Sequence, residues 1–165
     1  MLMSLPRSAF APPAPNLLKN GGFEEVAPDG TPVGWTKGGA PSLVSNADMV
    51  YQGQHSARTR FEDGYWQTFP IKPNIRYVVT GFIRQEKPGV EPGRLKILFK
   101  DARGTLVGAE ACRIFNLSSV AYKPFRFELT TPDFAAQCQF GILGRFTGSE
   151  WMLYDDISFR EARNP

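Results

Sequence analysis

The chain has 165 residues, 42% of them hydrophobic, and a net charge of +3 at neutral pH. A chain of this length and composition forms one domain with a real core, which excludes wholesale disorder. No long uncharged apolar run occurs, so a membrane span is excluded. The 19 basic residues are scattered instead of clustered on one element, which argues against a nucleic-acid partner.

Turn residues separate short apolar runs along the whole chain, with 16 glycines and 14 prolines in all. This arrangement is typical of an all-β sandwich or barrel. No window shows sustained three-to-four spacing of apolar residues, so little helix is expected. We predict strands, in chain order, at residues 17–18, 42–45, 56–61, 65–71, 76–85, 95–100, 105–115, 124–130, 137–146 and 151–160.

Three segments are predicted along the chain. Residues 1–15 form an extended, proline-rich arm that tends to polyproline II, residues 16–161 form the sandwich, and residues 162–165 form a tail. Because the arm has few side chains to bury, we expect it to dock on a protein partner. The predicted fold class is a two-sheet antiparallel β-sandwich of jelly-roll type, with the arm outside it.

Period-two alternation assigns side chains to faces within the clearest strands. Phe69 points to one face of its strand, and Trp66 leaves on the opposite face. In the strand predicted at 76–85, Phe82 and Arg84 leave on the face opposite the apolar set. This is the pattern of antiparallel sheets that have one buried face and one wet face.

Catalytic machinery is largely missing from the sequence. The only histidine is His55, and no serine-nucleophile motif, phosphate-binding loop or dinucleotide-binding fingerprint occurs. The 16 acidic residues offer many carboxylate pairs, but no motif favours one pair for glycoside hydrolysis. We predict no catalytic residue and no enzyme activity.

Two features bear on the compartment. Cys112 and Cys138 match no zinc spacing, and two free thiols are favoured over a disulfide, although the sequence leaves the pairing open. The first residues lack the apolar stretch of a signal peptide, and Arg7 follows the hydrophobic residues instead of preceding them. We expect either a complete protein made in the cytosol or a domain cut from a larger secreted protein.

Two motifs near the ends of the chain are its most informative feature. Asn-Leu-Leu-Lys-Asn-Gly-Gly-Phe-Glu occupies residues 16–24, and Leu-Tyr-Asp-Asp-Ile-Ser-Phe occupies residues 153–159. Glu24 in the first motif, and Asp155 and Asp156 in the second, stand beside strand-like apolar runs. Because first and last strands often lie side by side in a closed sandwich, we expect these carboxylates to meet at one hard-cation site.

These motifs, with the spacing between them, resemble the β-jelly-roll carbohydrate-binding modules of families four, nine and twenty-two. The resemblance implies a structural calcium held by the turn at Gly22, by Glu24, by the stretch from Gln52 to His55 and by Asp155. Gln52 stands where an acidic ligand is common, so a neutral oxygen replaces a carboxylate and a weaker site is expected. Alternatively, Glu24 and Asp155 bind backbone N–H groups or basic side chains.

The resemblance also implies a glycan that lies across the wet face of one sheet and stacks on exposed aromatic rings. By motif and by face, Trp66 stands at a position used in this way. Phe82 and Arg84 are expected on the corresponding face of the next strand, and Phe115 and Arg145 are expected to border the groove. Burial in the core is the competing expectation for Phe82, and for Phe115 both alternatives stay open.

Three functions remain open. The favoured one is a non-catalytic accessory or structural surface subunit of a larger assembly, such as a phage virion decoration or tail-associated protein, that binds polysaccharide or cell-surface glycan. Such a subunit is found on a virion or another extracellular assembly and is made without a signal peptide. The second is a carbohydrate-binding module of a secreted, extracellular polysaccharide-degrading enzyme. The third, a hydrolase or lyase on the same sandwich, lacks a catalytic constellation.

Overall fold

The computed structural model describes residues 12–116, 119–144 and 148–163. None of these residues forms a helix, and so none forms a helix that could cross a membrane. The described residues form ten strands: β1 (Thr36–Gly38), β2 (Ser42–Val44), β3 (Ser56–Thr59), β4 (Gly64–Pro70), β5 (Arg76–Gln85), β6 (Gly93–Lys100), β7 (Ala111–Phe115), β8 (Lys123–Thr130), β9 (Gln137–Gly144) and β10 (Met152–Glu161).

The strands form two five-stranded sheets that pack as a sandwich. Sheet A has the order β1-β4-β9-β6-β7, and sheet B has the order β2-β3-β10-β5-β8. All neighbouring strands within each sheet are antiparallel. Apolar residues at every second position give each sheet one face that is buried against the other. The predicted two-sheet antiparallel sandwich of jelly-roll type is confirmed.

The core lies between the two sheets and is rich in aromatic rings. Phe140 of sheet A meets Phe159 of sheet B edge-on, with ring centroids 6.1 Å apart. Tyr77 lies 5.2 Å from Phe159 on the same side of the interface. All three side chains are buried, and the burial of each contributes roughly 1.5–3 kcal/mol to folding.

The two motifs at the ends of the chain lie side by side. Leu17 N donates a 2.9 Å hydrogen bond to Phe159 O, and Ile157 N donates one of 2.9 Å to Gly21 O. A Cβ added at Gly21 would overlap the carbonyl oxygen of Ile157. Because only glycine allows this approach, Gly21 is what lets the first motif lie against the last strand.

Most predicted strands begin and end close to the observed bounds, but three differences are larger. Residues 17–18 are not a strand, because the side chain of Asn16 bonds to the backbone of β10 in place of a regular ladder. The strand predicted at 105–115 is confined to Ala111–Phe115, since Asp101 Oδ1 accepts two backbone N–H groups and fixes an irregular turn before it. β1 has no counterpart among the predicted strands, because its three residues carry no alternation.

The arm predicted at residues 1–15 lies mostly outside the described residues. Its last four residues, 12–15, are described. The Arg160 guanidinium donates a 2.6 Å hydrogen bond to Ala14 O, so this end of the arm lies against β10. Docking of the arm on a partner stays a prediction.

Both cysteines are free thiols, which was the favoured alternative. Cys138 on β9 is buried in the core, and burial raises the pKa of its thiol. Cys112 on β7 is half-buried, and its sulfur accepts a 3.2 Å hydrogen bond from Arg94 Nε. The two thiols therefore lie on opposite faces of sheet A.

Candidate functional site

The Trp66 side chain lies on the outer face of sheet A, over glycines of the two neighbouring strands. It is half-buried, and its partner in β9 is Gly141. A Cβ added at Gly141 would lie 2.7 Å from ring atom Cη2, and one added at Gly38 would lie 2.9 Å from Nε1. The indole therefore occupies the layer that Cβ atoms of both neighbouring strands would fill. We call this indole, with the two glycines beneath it, the Trp66 platform.

Polar side chains border the platform. Thr36, Thr68 and Gln139 line a shallow pocket of about 240 Å³ beside the indole, together with Gln67. Gln67 is fixed in place, because it accepts a 2.7 Å hydrogen bond from Lys19 N and donates one of 3.0 Å to Lys19 O. An aromatic surface bordered by hydroxyl and amide groups suits a sugar, whose C–H face packs on the ring while its hydroxyls bond to the polar groups.

Phe82 and Arg84 do not share the face of Trp66. Both lie on β5, which belongs to sheet B, so their outward side chains are on the opposite side of the sandwich. The prediction of one common face for these three residues is wrong. Its physical reason is that the chain crosses from sheet A to sheet B between β4 and β5 instead of forming a hairpin.

The outer face of sheet B around Phe82 is covered by residues 45–55, which link β2 to β3 and which we call the covering loop. Tyr51 of this loop stacks on Phe82 with ring centroids 3.7 Å apart and meets Tyr122 edge-on at 5.4 Å. Arg84 donates a 2.9 Å hydrogen bond to a carbonyl oxygen of the loop. These contacts engage Phe82 and Arg84 in holding the loop.

Phe115 points into the sandwich and not toward a groove on its surface. Its ring centroid lies 4.8 Å from that of Phe125 on β8, and it packs against the core. Of the two alternatives left open for Phe115, the structure shows packing on the inner side of the sheet and not a place beside the glycan face. Arg145 lies outside the described residues, and its role stays a prediction.

The other two tryptophans are engaged in packing. Trp35 is 5% exposed and belongs to the core. Trp151 is covered by two guanidinium groups, with Arg58 Cζ 3.7 Å and Arg60 Cζ 4.5 Å from the ring centroid. Trp66 is thus the tryptophan whose ring lies on an open sheet face.

Asp155, one of the predicted calcium ligands, binds the covering loop from below. The residue is fully buried, and its Oδ2 accepts hydrogen bonds from Ser56 Oγ at 2.6 Å and from Tyr51 N and Gln52 N at 3.2 Å each. Burial raises the pKa of the Asp155 carboxyl above its ordinary value, although these hydrogen bonds act to lower it. The β10 register shifts immediately after Asp155, as expected for a bulge that re-aims a side chain.

Glu24, from the other motif, binds the end of the same loop. Its carboxylate accepts N–H groups from Gln54 at 2.9 and 3.0 Å and from His55 at 3.0 Å. A Cβ added at Gly53 would lie 2.5 Å from Glu24 Oε1, so glycine is needed for this approach. The two end motifs therefore fasten one loop with two carboxylates.

Glu24 and Asp155 both accept backbone N–H groups in this structure, which is the alternative to a cation site that the sequence left open. In the described part of the chain, no three His, Cys, Asp or Glu side chains lie close enough to hold a metal ion. A cation here would depend on Glu24, Asp155 and backbone carbonyls such as that of Gly22, which are ligands that calcium accepts. The His55 side chain has a buried Nδ1 with no hydrogen-bond partner among the described residues, but nitrogen is not a calcium ligand.

Sequence reasoning missed the glycines of the platform, the Tyr51 ring that covers Phe82, and the Tyr122 ring that packs on Tyr51. Gly38 and Gly141 lie within strands, where a glycine commonly marks the close approach of another group. That signal would have located the platform. Tyr51 and Tyr122 lie in loops, and no periodicity indicates which surface a loop residue covers.

Comparisons with known proteins agree on the fold. No protein-family model matches the chain, and no curated protein matches it in sequence. Solved structures with the same fold include the enzymatically active domain of bacteriophage CBA120 tailspike protein 4, with a TM-score of 0.68 and 11% identity. That match covers 89% of this chain, but this chain spans 21% of the tailspike chain.

Two carbohydrate-binding modules match over their whole length. TmCBM61, solved in complex with β-1,4-galactotriose, has a TM-score of 0.65 and 18% identity, with 90% of this chain and 100% of that chain covered. A second module of family 16 has a TM-score of 0.64 and 23% identity, with 88% and 100% covered. The resemblance to jelly-roll carbohydrate-binding modules is confirmed at the level of the fold.

Proposed function

We propose that this chain is a non-catalytic glycan-binding domain whose ligand lies on the outer face of sheet A, over Trp66. The observation that carries the proposal is the platform itself. Glycines on both neighbouring strands let the indole lie in the Cβ layer, which leaves a half-buried aromatic ring at the level of the sheet. Tryptophan is enriched at binding surfaces, because its ring is apolar and its N–H can donate a hydrogen bond.

The bordering groups support a polar ligand with apolar faces. Thr36, Thr68 and Gln139 offer hydroxyl and amide groups beside the ring. Sugars combine hydroxyls with C–H faces, and planar polar side chains next to an aromatic ring match both. The structural likeness to TmCBM61, which was solved with β-1,4-galactotriose, supports a carbohydrate ligand for the same fold.

The domain acts, in this proposal, as an accessory surface subunit of a larger extracellular assembly such as a phage virion, docked by the arm at residues 1–15. The likeness to a bacteriophage tailspike domain supports this role. The second candidate is a module of a secreted polysaccharide-degrading enzyme, supported by the whole-length matches to carbohydrate-binding modules. Fractionation of the source material separates the two, since the chain either co-sediments with particles or is joined to a catalytic domain.

A structural calcium at Glu24 and Asp155 belongs to the same proposal. Both carboxylates accept backbone N–H groups of the covering loop. A bound cation would neutralise two acids, one of them buried, and would fix the loop to the end motifs. It would act on stability and not on glycan chemistry, because the loop lies against sheet B.

The test measures binding of the wild-type protein and of two tryptophan variants to a panel of glycans. Trp66→Ala should weaken binding by about 2 kcal/mol, roughly thirtyfold in Kd, with little change in melting temperature. Trp151→Ala removes an equally large ring that is covered by arginines, and it should leave Kd unchanged. Glycans that bind should show no new reducing ends after incubation.

Two results would contradict the proposal. One is the absence of any signal on a broad panel of plant, microbial and capsular polysaccharides. The other is glycan binding that persists in Trp66→Ala but is lost in Trp151→Ala. This result would indicate that the glycan binds near Trp151, at the end of the sandwich.

A further inference from the structure

One row of outward side chains crosses sheet A from the Trp66 platform toward β7. The register pairs Trp66 with Gly141, Gly141 with Lys96, and Lys96 with Cys112. Two strand spacings, on the order of 10 Å, therefore separate the backbones of Trp66 and Lys96. Gly141 has no side chain and lies beneath the indole, so no side chain of this row stands between the ring and the lysine.

Lys96 belongs to a cluster with more positive than negative charge. Glu110 places one oxygen 2.7 Å from Arg94 Nη2 and the other 3.9 Å from Lys96 Nζ. One carboxylate thus serves two cations, and its closer contact is with Arg94. The Lys96 side chain is 31% exposed, so its ammonium can meet a further anion without being stripped of water.

We propose that the glycan bound at the Trp66 platform is acidic, and that Lys96 holds an anionic group on a sugar next to the one stacked on the indole. The inference rests on the proposed glycan-binding function and deepens it. The inference is based on the row Trp66–Gly141–Lys96, in which no side chain stands between the indole ring and the lysine ammonium. Two linked sugar rings are long enough to span the distance between these two groups. The shared chemistry is an anionic sugar, whether its charge comes from a carboxylate or a sulfate.

Matched polymers test the charge requirement. Polygalacturonate and hyaluronate carry carboxylates, and κ-carrageenan carries sulfates. Carboxyl-reduced forms of the first two keep the chain and lose the charge. Wild-type protein should bind an acidic form about fivefold more tightly than its reduced form at low salt, and this difference should shrink near 1 M salt.

Two variants with opposite expected signs locate the anion site. Lys96→Gln should remove the preference for the charged polymer while binding of the reduced form persists. Glu110→Gln frees both cations and should raise affinity for the charged polymer about threefold. Arg126→Gln and Glu128→Gln are the matched controls, because this pair makes a 2.8 Å contact on the outer face of sheet B, and neither change should alter the preference.

The outcomes separate this inference from the function on which it rests. Trp66-dependent binding of neutral glycans alone would overturn the acidic ligand and leave glycan binding intact. A charge preference that Lys96→Gln and Glu110→Gln leave unchanged would also overturn it, since diffuse attraction would then explain the effect. If no polymer on the panel binds, glycan binding itself is contradicted. Preference for carrageenan over both carboxylate polymers would identify the anion as a sulfate.

Discussion

Each outer face of the sandwich carries an outward aromatic residue, but one ring is open to solvent and the other is covered by a loop. Trp66 on sheet A has glycine on both sides and keeps an open ring. Phe82 on sheet B has Asp155 as its cross-strand partner and Tyr51 stacked on it. Both residues follow the same period-two alternation. The role of an outward aromatic is therefore decided by what the neighbouring strands and loops place beside it.

The largest effect is expected from breaking the attachment of the covering loop at Asp155. Asp155→Asn puts an amide NH₂ against donors in either orientation, facing the three that bind Oδ2 or the Asp156 N–H that binds Oδ1 at 2.7 Å. Buried groups left without partners cost about 1–3 kcal/mol each. We expect a loss of about 3 kcal/mol in the free energy of unfolding, measured by urea denaturation. Asp156→Asn is the control, since Asp156 is exposed and asparagine tolerates its φ of 47°. Equal losses in both variants would show that Asp155 does not anchor the loop.

Calcium should increase the difference between the two outer faces, because it should stabilise the covering loop on sheet B and not the Trp66 platform on sheet A. Added to chelator-treated protein at a hundredfold excess over its Kd, it should raise the free energy of unfolding by about 2.7 kcal/mol. Glu24→Gln should abolish the effect, whereas Glu25→Gln, at an exposed neighbouring residue, should retain it. An unfolding curve that neither chelator nor calcium shifts would remove the cation from the proposal.

Phe82→Ala should lower stability and leave glycan affinity unchanged, which is the opposite of the result expected for Trp66→Ala. It removes the ring on which Tyr51 stacks, so we expect a loss of about 2 kcal/mol in stability, less than for a fully buried phenylalanine. Glycan affinity should not change, because the substituted face is opposite the platform. Reduced affinity in a folded Phe82→Ala protein would place the ligand on sheet B.

The smallest effect is expected from a substitution at Gly141, the glycine beneath the Trp66 indole. A methyl group at Gly141 would lie within the indole's present position, so Gly141→Ala should displace the ring. We expect about tenfold weaker glycan binding, or 1.4 kcal/mol, with little loss of stability because a side-chain end can move. In a Trp66→Ala background the same change should have no further effect. Additive losses would mean that Gly141 acts on the ligand directly.

The sequence predicted the fold better than the site. Alternation in β5 correctly assigned inward and outward residues. The resemblance grouped Glu24 and Asp155 with residues 52–55, and both carboxylates contact that stretch, whereas the cation itself stays a prediction. The sequence could not show that Trp66 and Phe82 lie on opposite faces of the sandwich, because alternation fixes faces within a strand and not which sheet the strand joins. The sequence left the orientation of Phe115 open, since its strand has only five residues.

The pairing of Asn16 and Gly21 with β10 has a consequence for how the domain folds. Asn16 and Phe159, joined by a 2.8 Å hydrogen bond, are 143 positions apart in the chain, and β10 lies in the middle of sheet B. Contacts of such long range close late and slow the search for the native state. The sheet therefore cannot be completed on the ribosome until the last strand has emerged, and until then β3 and β5 have no partner between them.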